Sequence, residues 1–483
     1  MGFIENASGM KITLDWLNQY VDFDGSLGIL GERPVRLGEA IEATERRETV
    51  AHGLSRGLGV SRGTSPGGAA EKSRLLGAVF LSPLQGFCYS ALATHGLRGG
   101  LYSAAAPWLA SALIALCCFV FLAGAHAAPL KTQNVFLIIS DGFRWQEVFN
   151  GAEADLLTKE NGGVKDTNAL RAQFWRESPE ARREALLPFF WTGIAKHGQI
   201  FGNQNKGSMV TVTNGKKFSY PGYNEILTGA GDPRVDSNDK KPNANVTVFE
   251  WLNGRSGLRD RVAVFGTWDV FPYIFNIQRC RLPIWPVWES KFGPFEIPAP
   301  QYVADLLRDT TPMWDGVTYD SFLFHAATDY LKHKQPRLVF VGFGETDEWA
   351  HAGRYDHYLT AAHHMDDFVR RLWEQAQSMP QYRAKTTFIV TADHGRGGGP
   401  VDWKDHGEKV AGAEADWIAV IGPDTPPAGE RTQTEPHTQG QIAASIAALL
   451  GEDFQAAFPA SAAPITDILA GGEFKGGRPP RSK

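Results

Sequence analysis

Cysteine is scarce. Four in 483 residues do not make a disulfide framework, and Cys88, Cys117 and Cys118 lie at or before an apolar stretch, leaving Cys280 alone in the rest of the chain. An oxidising compartment is compatible with this chain, but its stability does not require one. Neither sign of charge dominates: 48 Lys+Arg stand against 53 Asp+Glu, a formal charge of -5. There is no basic surplus of the kind that marks a nucleic-acid partner and no acidic tract that would form a charged tail. Internal repeats are absent, and 43% hydrophobic with 21% charged residues excludes collagen-like, coiled-coil and wholly disordered classes. Aromatic bulk is plentiful: 14 Trp and 29 Phe can fill one large α/β core, or the two to three domains expected at roughly 150 residues each.

One long uncharged run is present. Residues 104–125 read AAAPWLASALIALCCFVFLAGA, enough to cross a bilayer at the roughly 20 residues a spanning helix needs. Arg98 flanks it on one side and Ala125-His126-Ala127 supplies a small-x-small pattern on the other, so 96–127 reads as a secretory signal or signal anchor. The expected location is periplasmic or secreted, with a membrane contact only if the segment is retained as an anchor. Residues 1–95 are rich in Gly, Arg and Ser with weak periodicity. They are expected to form no stable domain, and translation is expected to start downstream of residue 80. The tail 471–483 is Gly/Pro/basic and expected to be disordered.

Between these ends, 128–470 alternates strand-like and helix-like segments. Residues 135–139, 262–265, 338–343, 387–390 and 418–421 are continuous apolar runs, as strands buried on both faces are. Helical patterns over 358–377 and 439–450 lie between and after them. The alternation predicts an α/β fold with a doubly wound, mostly parallel sheet and helices on both faces. Residues 268–300, with four tryptophans or phenylalanines at 268, 271, 285 and 288 and six prolines from 272 to 300, read as an irregular aromatic loop over the sheet.

Three of the apolar runs end in acidic or histidine clusters: Ser140-Asp141-Gly142-Phe143-Arg144, Glu345-Thr346-Asp347-Glu348-Trp349-Ala350-His351 and Asp393-His394-Gly395. Ligands of open α/β sheets bind beyond the carboxyl ends of the strands, which all three clusters would reach. Mixed Asp and His suit Zn²⁺ or a similar divalent ion. Taken singly, Asp141-Gly142 also reads as a turn and Asp347-x-x-x-His351 as a solvated pair; it is their joint occurrence that points to a metal site. Ser219, ahead of a short helix ending at Gly229, reads either as an N-cap or as a nucleophile placed where helix amides and dipole stabilise an anion. His357, His363 and His364 read as surface or packing residues. His406, in Lys404-Asp405-His406-Gly407, could line a pocket but stays outside the ligand set.

The ordered motifs Asp141-Gly142-Phe143-Arg144, Ser219-Tyr220-Pro221, Asp347-x-x-x-His351, Asp393-His394-Gly395 and a late His437 resemble the alkaline phosphatase superfamily over residues 132–450. Within it they are most similar to the type I phosphodiesterase/nucleotide pyrophosphatase branch. The resemblance implies one metal held by Asp141, Ser219, Asp393 and His394, and a second held by Asp347, His351 and His437. It also implies two divalent ions, expected to be Zn²⁺, a small phosphate-ester substrate, Ser219 as nucleophile, and Asn238 as the contact to the phosphoryl oxygen. For Arg144 the sequence leaves two roles open, positioning the site or binding substrate. A sulfatase would need Arg where Tyr223 stands. The expected activity is a phosphodiesterase/pyrophosphatase; an alkaline phosphatase-type phosphomonoesterase and a catalytically silent binding protein on the same fold are the alternatives.

Overall fold

The computed structural model describes residues 3–5, 11–13, 130–288 and 293–469. The expected signal segment and the 471–483 tail lie outside the described residues. The described residues of the first of two compact units are a small antiparallel pairing, β1 (Phe3–Glu5) with β2 (Lys11–Thr13). Among the described residues the second unit carries the further strands: β3 (Asn134–Ser140), β4 (Gln199–Phe201), β5 (Val210–Thr211), β6 (Val262–Gly266), β7 (Leu338–Phe343), β8 (Thr386–Thr391), β9 (Ala415–Asp416), β10 (Ile418–Ile421), β11 (Gly429–Glu430) and β12 (His437–Thr438).

Seven of these form the central sheet, in the order β11-β4-β10-β8-β3-β7-β6. The strands β6, β7, β3 and β8 pair in parallel, as expected for runs buried on both faces. The fifth expected strand departs from the parallel pattern: β10 is antiparallel to both β8 and β4. Strands β5, β9 and β12 make a second, three-stranded sheet.

Alternation along β3 shows why both faces need helices. Phe136 and Ile138 join a core with Val148 of α1 (Trp145–Asn150), while Val135, Leu137 and Ile139 join the core on the other face with Ile226 of α2 (Ser219–Thr228) and Val248 of α3 (Val248–Asn253). The first face is completed by Leu323 of α4 (Asp320–Lys334), Ala350 of α5 (Glu345–His351) and Met365 of α6 (Tyr355–Ser378); the second by Ile442 of α7 (Gln441–Leu449). No helix among the described residues is long and apolar enough to cross a membrane.

The 268–300 segment is more regular than expected. It holds short helices at Phe271–Ile274 and Ile277–Cys280, and Ile284 bridges to Val264, extending the β6 edge. Cys280 is buried and unpaired.

One contact fixes where α2 lies. A Cβ on Gly222 would fall 2.2 Å from the Asp393 carbonyl oxygen, so only glycine lets this helix rest against the end of β8. Gly222→Ala should cost about 1–3 kcal/mol through overpacking against rigid backbone, read by urea or thermal unfolding. Unchanged stability would show that α2 does not sit against Asp393.

Candidate active site

All three strand-end clusters reach one edge of the sheet, as expected of the carboxyl ends of parallel strands. Asp141 follows β3; Asp347 and His351 lie on α5, directly after β7; Asp393 and His394 follow β8. On α5 the i,i+4 spacing brings His351 Nε2 to within 3.3 Å of Asp347 Oδ2.

Ser219 is the first residue of α2. The N-cap is Phe218, with no side-chain capping bond, so the capping alternative is excluded by the geometry. Its Oγ instead lies 3.4 Å from Asp141 Oδ1 and 3.4 Å from His394 Nε2. One helical turn on, the Tyr223 hydroxyl donates to Asp141 Oδ2 at 2.8 Å. Tyr223 therefore occupies the sulfatase-arginine position with a different task, holding the carboxylate whose other oxygen faces Ser219.

Two groups of donor atoms stand beside Ser219. Asp141, Asp393 and His394 form the first; Asp347, His351 and His406 form the second. His406 Nε2 lies 2.9 Å from His351 Nε2 and 3.7 Å from Asp347 Oδ1, and its ring stacks on that of His394 at 4.0 Å between centroids. Sequence reasoning had left His406 out.

His437, expected in the second group, is a correction. It sits on β12 in the smaller sheet, packs edge-on against Phe201 at 4.9 Å, and turns Nδ1 to Gln441 Oε1 at 3.2 Å. It belongs to neither donor group. Seven residues past Glu430 at the end of β11, it is carried off the edge by the second sheet, whereas His406 lies in the segment that leaves β8.

The tautomers suit a cation. His394 Nδ1 faces the Gly395 carbonyl at 2.9 Å, and an N–H there leaves Nε2 as a bare lone pair. That lone pair faces carboxylate oxygens of Asp141 at 3.4 Å, Asp393 at 3.5 Å and Asp347 at 3.8 Å. Asp393 is fully buried; its Oδ1 accepts from the Gly142 N–H at 3.0 Å, while Oδ2 has no hydrogen-bond partner among the described residues.

The electrostatics agree. Burial, then the nearby Asp347, pushes the Asp141 carboxyl up to about 8. Burial, then Asp141, holds Asp393 well above the usual carboxylate range. Burial brings His394 down to about 4 and, with His394 beside it, His406 down to about 2. Asp347 goes the other way: burial opposes its ionisation but is outweighed by the Arg396 guanidinium and His351, leaving it well below the usual range. Carboxylates that resist ionisation beside imidazoles that resist protonation make a donor set short of positive charge, and a divalent cation supplies it. Asp, His and a serine oxygen are fitting ligands.

A cavity of about 160 Å³ opens onto these groups, lined by Ser219, Asn238, Trp268, Glu348 and members of both donor groups. Asn238 is thus at the site, where its Oδ1 accepts from the Tyr220 N–H at 3.0 Å. Arg144 is not in the lining. Fully buried, it is paired with Glu147 and Glu153 and donates to the Gly397 carbonyl at 3.1 Å, bracing the loop after His394.

No curated protein matches the chain. Solved structures that it resembles include the phosphonate monoester hydrolase SpPMH from Silicibacter pomeroyi (14% identity, 73% of this chain and 78% of that one, TM-score 0.43). Others are the phosphonate monoester hydrolase of Agrobacterium radiobacter (14%, 72% and 79%, TM-score 0.41) and a mutant of the alkaline phosphatase PafA (12%, 71% and 100%, TM-score 0.43). The type I phosphodiesterase / nucleotide pyrophosphatase family model matches residues 167–415, from ahead of the Ser219 helix to past His406. On that match, over more than half of its length, the chain belongs to the type I phosphodiesterase / nucleotide pyrophosphatase family of phosphoric ester hydrolases.

Proposed function

We propose that the chain is a two-metal phosphodiesterase with Ser219 as nucleophile, holding one divalent ion with Asp141, Asp393, His394 and Ser219 and the other with Asp347, His351 and His406. The observation that carries this reading is the Ser219 hydroxyl at the start of α2, 3.4 Å from both Asp141 and His394, facing a cavity that the second donor group also lines. When bound, such ions neutralise phosphoryl charge and lower the pKa of hydroxyl groups; Zn²⁺ suits the donors.

The residues themselves set the geometry. The start of α2 directs backbone amides and the positive end of the helix dipole at the space where a phosphoryl oxygen would lie. Asp141 Oδ1 accepts from the Ser219 hydroxyl, and Tyr223 keeps Oδ2 occupied. The Asn238 side chain, fixed by the Tyr220 amide, contacts the phosphoryl group.

Preference for a diester follows from charge. The cavity lining contains neither Lys nor Arg but does contain Glu348 and Asp347. A monoester dianion meets more repulsion there than a diester monoanion. Purified protein should hydrolyse bis-p-nitrophenyl phosphate with a kcat/KM at least about tenfold above that for p-nitrophenyl phosphate. The reverse order would favour a phosphomonoesterase, and metal binding without turnover of either ester would favour a binding protein. We also propose a periplasmic or secreted location, supported by the apolar run at 104–125; the N-terminal sequence of the native protein tests it.

A further inference from the structure

Arg396 lies two residues past His394 and is fully buried. Its Nε–H donates to the Gly142 carbonyl at 3.1 Å, directly behind Asp141. One terminal nitrogen donates to the Asp347 carbonyl at 3.2 Å and pairs with Asp347 Oδ1. The other donates to the Lys404 carbonyl, two residues before His406. A single side chain thus ties together the segments that follow β3, β7 and β8. Gly142 leaves room for it: at φ +57°, a Cβ would lie 2.9 Å from Arg396 Nε and 2.7 Å from Asp347 Oδ1.

The charge of this staple is permanent, and it is not shared evenly. In the first donor group neither Asp141 nor Asp393 forms an ion pair with a Lys or Arg among the described residues; the basic side chain beside each is His394. In the second, the one carboxylate already has the guanidinium against the oxygen that faces His394 and His406. A divalent cation entering the first group meets two carboxyl groups with no guanidinium against them. Entering the second, it gains one whose charge is already balanced, with a positive neighbour close by.

We infer that Arg396 is a positioning residue that makes the two cation sites unequal, holding Asp347 and the His406 loop in place while leaving the second group the weaker and more readily vacated site. This rests on the two-cation reading above. The sites should therefore fill in sequence.

The test is titration of the metal-free full chain with Co²⁺, following the visible d–d bands together with binding heats. Two steps are expected, separated by about 100-fold or more in affinity, the tighter one lost in Asp393→Asn and the weaker one in His406→Ala. Arg396→Gln removes the charge and should narrow the gap at least tenfold; Arg396→Lys keeps the charge without the three-way reach and should keep or widen it. Equal affinities in the wild-type chain would overturn the inference. So would Gln and Lys variants that widen the gap alike, since Arg396 would then act only as a brace. Should the Gln variant not fold, the wild-type step separation and its assignment by Asp393→Asn and His406→Ala still decide. Binding of no Co²⁺ at all would instead sink the two-cation reading itself.

Discussion

Ser219→Ala should remove hydrolysis of bis-p-nitrophenyl phosphate, lowering kcat/KM at least about 1,000-fold, while the protein keeps its metal and its fold. The reasoning is local. Ser219 is buried, and its oxygen touches only one acid and one imidazole of the first group. Both belong to a set that retains three other donors (Asp141, Asp393 and His394) without it. Removal of the hydroxyl takes away the atom that would attack phosphorus, not the frame that holds it. Full activity in the alanine variant would refute the nucleophile assignment; loss of activity together with loss of metal would make Ser219 a structural ligand first.

His406→Ala and His437→Ala form the second test, because the two histidines exchange roles between sequence and structure. His406 shares Asp347 with His351 and stacks on His394. Its loss should cost on the order of 100-fold or more in kcat/KM and abolish the weaker metal-binding step. From the second sheet, His437 touches Phe201 at the end of β4 and Gln441 at the start of α7. Its replacement should lower stability by about 1 kcal/mol, the worth of a buried aromatic pair, and leave kcat/KM within about threefold. The opposite outcome, a silent His406→Ala beside an inactive His437→Ala, would return the second ligand set to the order of motifs along the chain.

Much of this site is legible in the sequence because parallel strands deliver it. Once 135–139, 338–343 and 387–390 read as buried strands, the residues that follow them must share an edge, and Asp141, Asp347, His351, Asp393 and His394 do. The antiparallel run of β10 was not legible: a strand buried on both faces looks alike in either direction. His406 was missed because it sits in a loop, where no periodicity signals a shared face, and it was passed over for a later histidine on the order of motifs alone. Space, not order, decides: β11 and β12 carry His437 to another sheet.

Tyr223 lies four residues after Ser219 on one helix, so the two side chains share a face, and it is Tyr223 that holds Asp141. Arg396 carried no such signal. In Asp393-His394-Gly395-Arg396 it reads as an exposed loop cation, and only the closing of three loops around it shows it buried.

The central claim is that six side chains from three strand ends and one loop hold divalent cations beside a serine. It is tested most directly by stripping the purified chain with a chelator, measuring residual metal by mass spectrometry, and assaying bis-p-nitrophenyl phosphate as Zn²⁺ is returned. Hydrolysis should vanish with the metal and reach its plateau as the second equivalent is added. Undiminished hydrolysis by protein holding far less than one equivalent would contradict the account.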